Sequence, residues 1–179
     1  MIRFAAAVSL AALAVSSCAP EPEPPAGPVL IAVTAETGFE PAPESLYVRY
    51  GVASPLKGHD FAALSALTQH GVNGDFPAGT DPRRFEGPRL SALLAAAGEE
   101  GAGARLTALD GYQIVVEPER IDAFEPVVAI RADGEPLGVG GLGPAILVWP
   151  RLDDSRLAGA NDDDWIWGVF AIEPVSPGG

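Results

Sequence analysis

Cysteine is nearly absent: the 179 residues hold one, Cys18. A lone thiol excludes an intrachain disulfide and any Cys-rich metal site. Two histidines are too few for a zinc or iron centre of the usual kind. Basic side chains are scarce as well, 11 Lys+Arg against 24 Asp+Glu, and the formal net charge of −13 argues against a partner gripped by phosphate neutralisation. No nucleic-acid partner is expected. Hydrophobic residues, by contrast, reach 47%, enough for a core and too many for an intrinsically disordered body. Gly 21 and Pro 18 imply many turns without a low-complexity composition. The length bounds one domain, or two very small ones.

The first residues read as an address. Arg3 precedes an apolar run from Phe4 to Val15, and small residues follow, which is the layout of an export signal over residues 1–17. The run falls short of the ~20 residues of a membrane-spanning helix. Pro20, Pro22, Pro24 and Pro25 isolate it from any core. Val15-Ser16-Ser17-Cys18 resembles the lipobox of bacterial lipoproteins, whose Cys is lipidated and becomes the new N-terminus. That resemblance implies lipid attachment at Cys18. Ala19, standing where Asp does not, implies sorting to the outer membrane, facing the periplasm. Loss of Arg3 with the leader takes the formal charge from −13 to −14. Such a charge keeps the domain off anionic lipid, so the acyl chains supply the membrane attachment. Residues 18–28 then form the lipidated Cys and a Pro-rich stalk, spanning roughly 30 Å as polyproline II.

From residue 29 to 174 the pattern is that of a folded domain, with residues 175–179 as a disordered tail. Val29–Val33 and Leu46–Tyr50 read as strands. Asp60 caps a two-turn helix carrying Phe61, Leu64 and Leu67, and Asn73–Arg84 reads as loop. Pro88–Ala97, with Leu90, Leu93 and Leu94 on one face and Gly98 as its stop, is the strongest helix. Asp110-Gly111 predicts a hairpin joining Ala104–Leu109 to Tyr112–Val116. One helical turn is expected over Pro118–Phe124. Strands are expected over Pro126–Ala132 (ending in a second turn, Asp133-Gly134), Ala145–Trp149 and Trp165–Ile172. Few helices among many strands predict an α+β fold with mixed sheets.

Several local patterns carry little chemistry. Gly138–Gly143 matches G-x-G-x-x-G, but Pro144 and an apolar strand follow where a dinucleotide site needs a helix. A connecting loop is expected there. Asp162–Asp164, after Asn161, could attract calcium but lacks the ligand spacing, the mid-loop Gly and the distal Glu of a calcium loop. His59 and His70 read as surface or turn residues. No serine elbow accompanies them, although Ser65, Ser91 and Ser155 remain candidates for meeting one in space. Trp149, Trp165 and Trp167 read as core or half-buried, the last two sharing one strand face where an aromatic patch could meet a partner.

A larger resemblance joins four segments in order. These are Phe85-x-Gly87-x-x-Leu90-x-x-Leu93-Leu94-x-x-x-Gly98; Ala108-x-Asp110-Gly111-Tyr112-x-Ile114-x-Val116; Val128-Ala129-x-x-x-Asp133-Gly134-x-Pro136-Leu137; and Gly143-Pro144-x-x-Leu147-Val148-x-Pro150. With the closing Trp165-x-Trp167-x-x-x-x-Ile172, they resemble the oxidoreductase molybdopterin-binding domain family, the sulfite oxidase-like fold. The match covers about half the chain, Phe85–Pro174, and small exported single-domain members are most similar. Catalytic members ligate molybdenum through a Cys thiolate, a soft ligand suited to that metal. Nothing from Ala19 to Gly179 supplies one. The family also holds its pterin phosphate with cationic side chains and N–H groups. This chain offers chiefly Arg83, Arg84, Arg131 and Arg151, in a strongly negative field.

The expectation is therefore a fold kept after its metal site was lost: a lipid-anchored accessory module binding a periplasmic protein or a small molecule. No cofactor is expected, although the resemblance implies molybdopterin. Near the family's cofactor face the resemblance puts Arg83 and Arg84 as anion contacts, Asp110 and Tyr112 at a turn, and Trp149 and Arg151 at the end of a strand. Two alternatives stand. One is a molybdopterin-dependent oxidoreductase with a non-Cys metal ligand or none. The other is a calcium-dependent acidic surface domain built on Asp162–Asp164.

Overall fold

A computed structural model describes residues 28–160 and 162–176. The export segment, Cys18, nearly all of the stalk, Asn161 and the last three residues lie outside the described residues. In chain order, β1 (Ile31–Phe39), α1 (Leu46–Arg49), β2 (Leu56–His59), α2 (Phe61–Ala66) and β3 (His70–Gly74) come first. Next are β4 (Arg83–Gly87), α3 (Leu90–Ala96), β5 (Gly103–Ala108), β6 (Gln113–Val116) and α4 (Pro118–Phe124). The chain then runs through β7 (Val127–Ala129), β8 (Arg131–Ala132), β9 (Glu135–Pro136), β10 (Ile146–Val148) and β11 (Val169–Val175). A five-stranded sheet has the order β2-β1-β11-β5-β6, with β1 and β11 parallel and the other pairs antiparallel. A four-stranded antiparallel sheet, β3-β4-β8-β9, and the pair β7-β10 complete an α+β architecture of mixed sheets with a few short helices.

Both faces of the five-stranded sheet are covered. Ile31, Val33, Leu106 and Ile172 face the main core, which Phe85, Ile130, Ile146, Trp165 and the Leu90, Leu93 and Leu94 stripe of α3 fill. Ala32, Leu56, Phe170 and Ala171 face a second, smaller cluster. Phe170 and Ala171 are neighbours in sequence yet share that face, because the β11–β5 register slips between Val169 and Ala171 and leaves Phe170 as the extra residue of a bulge.

The second cluster explains the first departure from the sequence reading. Leu46–Tyr50 is a helical turn, not a strand. Ser45 caps it, its Oγ accepting the Val48 N–H at 3.4 Å. Helical spacing brings Leu46, Tyr47 and Tyr50 onto the sheet, and the Tyr47 ring lies 5.1 Å from that of Phe170. Asn73–Arg84 is only partly a loop, since β3 enters it and β4 leaves it. Of the two glycines in that segment, Gly79 lies in the loop at φ 82° with open space around it, whereas Gly74 belongs to β3. A Cβ on Gly74 would lie 2.8 Å from the Trp165 ring, so the strand needs Gly there. The closing strand starts at Val169, so Trp165 and Trp167 precede it, and it runs through Val175, paired with Gly103, beyond residue 174.

Other expectations hold. Asp60 caps α2 through the Ala63 N–H at 2.7 Å, and α4 covers Pro118–Phe124. Gly98 ends α3 at φ 92°, and Asp133 and Gly134 both adopt positive φ in the β8–β9 turn. Gly138–Gly143 connects β9 to β10. Its Gly141 and Gly143 N–H groups turn inward onto the Gly138 carbonyl rather than outward to a ligand.

His59 is not at the surface. It pairs with Ile31 across β2–β1, is 6% exposed, and its Nε2 has no hydrogen-bond partner among the described residues. Burial, with Lys57 beside it, lowers its pKa, and Asp60 opposes this only in part. The unfolded chain therefore takes up this proton at a higher pH than the folded one. The stability contributed by the neutral His59 is fully present above about pH 6.5 and declines as the pH falls below it. His59→Leu should flatten the stability profile as the pH falls below about 6.5, read from urea midpoints. The steeper losses from carboxylates held low by arginines, such as Asp75, lie at more acidic pH and should remain.

Candidate ligand-binding site

The site is organised by a buried arginine. Arg151 follows β10, and its side chain is 4% exposed. Nε donates to Asp75 Oδ1 at 2.6 Å and Nη2 to the Asp75 carbonyl at 2.8 Å. Nη1 donates to Asp162 Oδ1 at 2.7 Å and to the Ala160 carbonyl at 3.1 Å. The guanidinium lies 4.7 Å from the centre of the Trp165 ring. Partial burial pushes the Asp75 carboxyl up, but the Gly79 N–H and Arg151 outweigh it and hold it below the usual carboxylate range. Burial likewise works against the Arg151 charge, and the two aspartates overcome it. Asp162 Oδ2 accepts the Ala78 N–H at 2.8 Å. One cation thus ties the segment between β3 and β4 to the segment that follows β10.

That tie fixes Phe76. Its ring stacks on Trp165, 5.3 Å away and 7° from parallel, and lies 5.4 Å from Trp167. The β5–β6 hairpin supplies the opposite wall. Asp110 Oδ1 accepts the Tyr112 N–H at 3.0 Å, and the Tyr112 hydroxyl donates to the Asp163 carbonyl at 3.3 Å. Gly111 between them sits at φ 89° against the Tyr50 ring, a place that suits Gly alone. The result is a cavity of about 470 Å³ walled by Phe76, Tyr112, Trp165 and Trp167, with Asp110, Asp162 and Asp163 around it. Trp167 is 45% and Tyr112 49% exposed, so both are accessible to a ligand, while Trp165 is buried. A second concavity of about 350 Å³ continues past Asp110 and Trp167 toward Gly140 and Gly141.

The six residues expected near a cofactor face are not gathered in one place. Asp110 and Tyr112 line this cavity. Arg151 stands on the other side of Trp165 and borders a different hollow with Asp75. Trp149 is buried, its Nε1 donating to the Asp164 carbonyl at 2.8 Å, with Arg120 over its ring. Arg83 and Arg84 project from β4, where Arg83 Nε donates to Asp133 at 2.8 Å and Arg84 lies 3.9 Å from Glu86. The acidic run 162–164 is also dispersed. Asp162 serves Arg151 and Asp164 pairs with Arg120 at 2.7 Å, and no group of three metal-donating side chains gathers among the described residues. Among the described residues the calcium reading finds no donor set.

A molybdopterin centre does not fit the cavity's chemistry. A protein thiolate for the metal is missing from residues 19–179, and among the described residues no basic side chain lines the cavity to hold a phosphate. The walls are aromatic and the polar groups are carboxylates. Phe76 was not recognised from the sequence, where it lay in a segment read as loop. An aromatic residue between Asp75 and Pro77 in an otherwise polar stretch was the available signal.

No family model matches this chain, and no curated protein matches it. Among solved structures, it is similar to the sulfane dehydrogenase SoxCD from Paracoccus pantotrophus, with a TM-score of 0.55 and 16% identity over 82% of this chain. The chain spans 38% of the length of that structure. At this identity the likeness is one of fold alone.

Proposed function

We propose that the protein is a lipid-anchored periplasmic module that binds a ligand or a partner protein on a molybdopterin-oxidoreductase-like scaffold, without a working metal centre. One observation carries this reading: the aromatic cavity is bordered by carboxylates, with neither a thiol nor a basic side chain in its lining. The pairing of Arg83 with Asp133 and of Arg151 with Asp75 and Asp162 adds to it, since these guanidinium groups already have anionic partners. The anchor rests on the lipobox-like Val15-Ser16-Ser17-Cys18.

One preparation tests both parts. The full-length chain is produced in a bacterial host able to make the molybdenum cofactor, then fractionated and purified. The wild type should sediment with membranes and Cys18→Ser should shift to the soluble fraction. Molybdenum measured by elemental analysis should be far below stoichiometric. Near-stoichiometric molybdenum would overturn the non-catalytic reading, and an unchanged distribution of Cys18→Ser would overturn the anchor.

A further inference from the structure

We propose that the cavity between Phe76, Tyr112 and Trp167 takes a small organic cation of the alkylated ammonium class. The inference rests on the binding-module reading above and names the ligand chemistry of that same site.

The walls supply the first part of the argument. A cation is attracted to the face of an aromatic ring within about 6 Å of its centre, most strongly to Trp. Trp167 and Tyr112 line the cavity, each about half exposed, and the Phe76 ring lies 5.3 and 5.4 Å from the rings of Trp165 and Trp167. The rings are fixed before any ligand arrives, Phe76 by its stack on Trp165 and Tyr112 by its bond to the Asp163 carbonyl. Fixed walls lower the ordering cost of binding.

Charge supplies the second part. Asp110 accepts a neutral N–H from Tyr112, and no ion pair reaches it among the described residues, so its negative charge is not cancelled locally. Asp162 is matched by Arg151, but that guanidinium lies behind Trp165 rather than in the cavity. The surrounding field is strongly negative, −13 for the whole chain, and concentrates cations. An anion would meet carboxylates and no cationic side chain in that lining. The volume of about 470 Å³ is in the range of small-molecule sites.

Isothermal titration of the full-length protein in detergent tests this, with choline chloride, its uncharged isostere 3,3-dimethylbutan-1-ol, and glucose as probes. Choline should bind saturably, and the isostere about tenfold more weakly or worse, since only the charge differs between them. Trp167→Ala should abolish choline binding. Asp110→Asn should weaken it several-fold and reduce its dependence on salt. Both variants change exposed side chains, and circular dichroism checks that each remains folded. Equal binding of the isostere would make the cavity a neutral apolar slot and overturn the inference. So would glucose bound in place of choline, choline giving no saturable heat, or folded Trp167→Ala binding like the wild type. Failure with choline in metal-free protein removes this inference alone, whereas stoichiometric molybdenum removes the reading beneath it.

Discussion

Arg151→Met should destabilise the protein by about 3 kcal/mol, at the lower end of the usual 3–5 kcal/mol for breaking a buried ion pair from one side. The Met side chain can replace the aliphatic stem packed near Trp165 but none of the four hydrogen bonds to Asp75, Asp162 and Ala160. Two carboxylates would remain facing each other without the cation that made their approach favourable. The loss is not larger because Asp75 and Asp162 keep 16% and 30% of their side-chain exposure, and water can solvate part of their charge. Urea unfolding monitored by tryptophan fluorescence measures it. Arg156, paired with Asp154 at 60% exposure, is the control, and its replacement should leave the midpoint almost unchanged. If the two substitutions behaved alike, Arg151 would not be the tie between the segments that carry Phe76 and Asp162.

Gly87→Ala should cost about 3 kcal/mol or more, above the middle of the range for overpacking. Gly87 is buried at the end of β4, where the backbone of β7 crosses it. A Cβ there would lie 2.7 Å from the Ala129 Cα and 2.8 Å from the Val128 carbonyl carbon, closer still to the Val128 oxygen. These are backbone atoms, so no rotamer change relieves the clash. The neighbouring chain is also held on both sides, by the Val128 N–H to Pro88 and the Ile130 N–H to Glu86, each at 2.9 Å. Thermal unfolding should show the lowered stability. Gly134→Ala, where a Cβ meets nothing, separates crowding from the backbone preference of glycine at positive φ.

Those two residues also mark what could be read from the chain alone. Gly87 stood in a segment whose order and spacing pointed to the fold, and the elements with local chemical signals were legible: Asp60 as a cap, the α3 leucines, the two Asp-Gly turns, the apolar run at Ala145–Trp149. Leu46–Tyr50 was not, because its Val and two Tyr suit a strand by composition while five residues also make one helical turn, and only the face of the β1–β11 pair decides between them. Arg151 was legible as a cation but not in its role, since Asp75 lies 76 residues away. Trp165, Trp167 and the acidic run were each noticed separately. What joined them was Phe76, whose position depends on that distant ion pair.

The parallel pairing of β1 with β11 has a further spatial consequence. Ala32 lies opposite Ala171 and Val33 opposite Ile172, so both strands start at the same end of the sheet. Residue 28 enters at that end, three residues before β1, and Trp167 stands two residues before β11. The entrance to the cavity and the root of any N-terminal tether therefore share one pole of the domain. On the anchor proposed above, the membrane and a ligand of the cavity would approach the domain from that same pole.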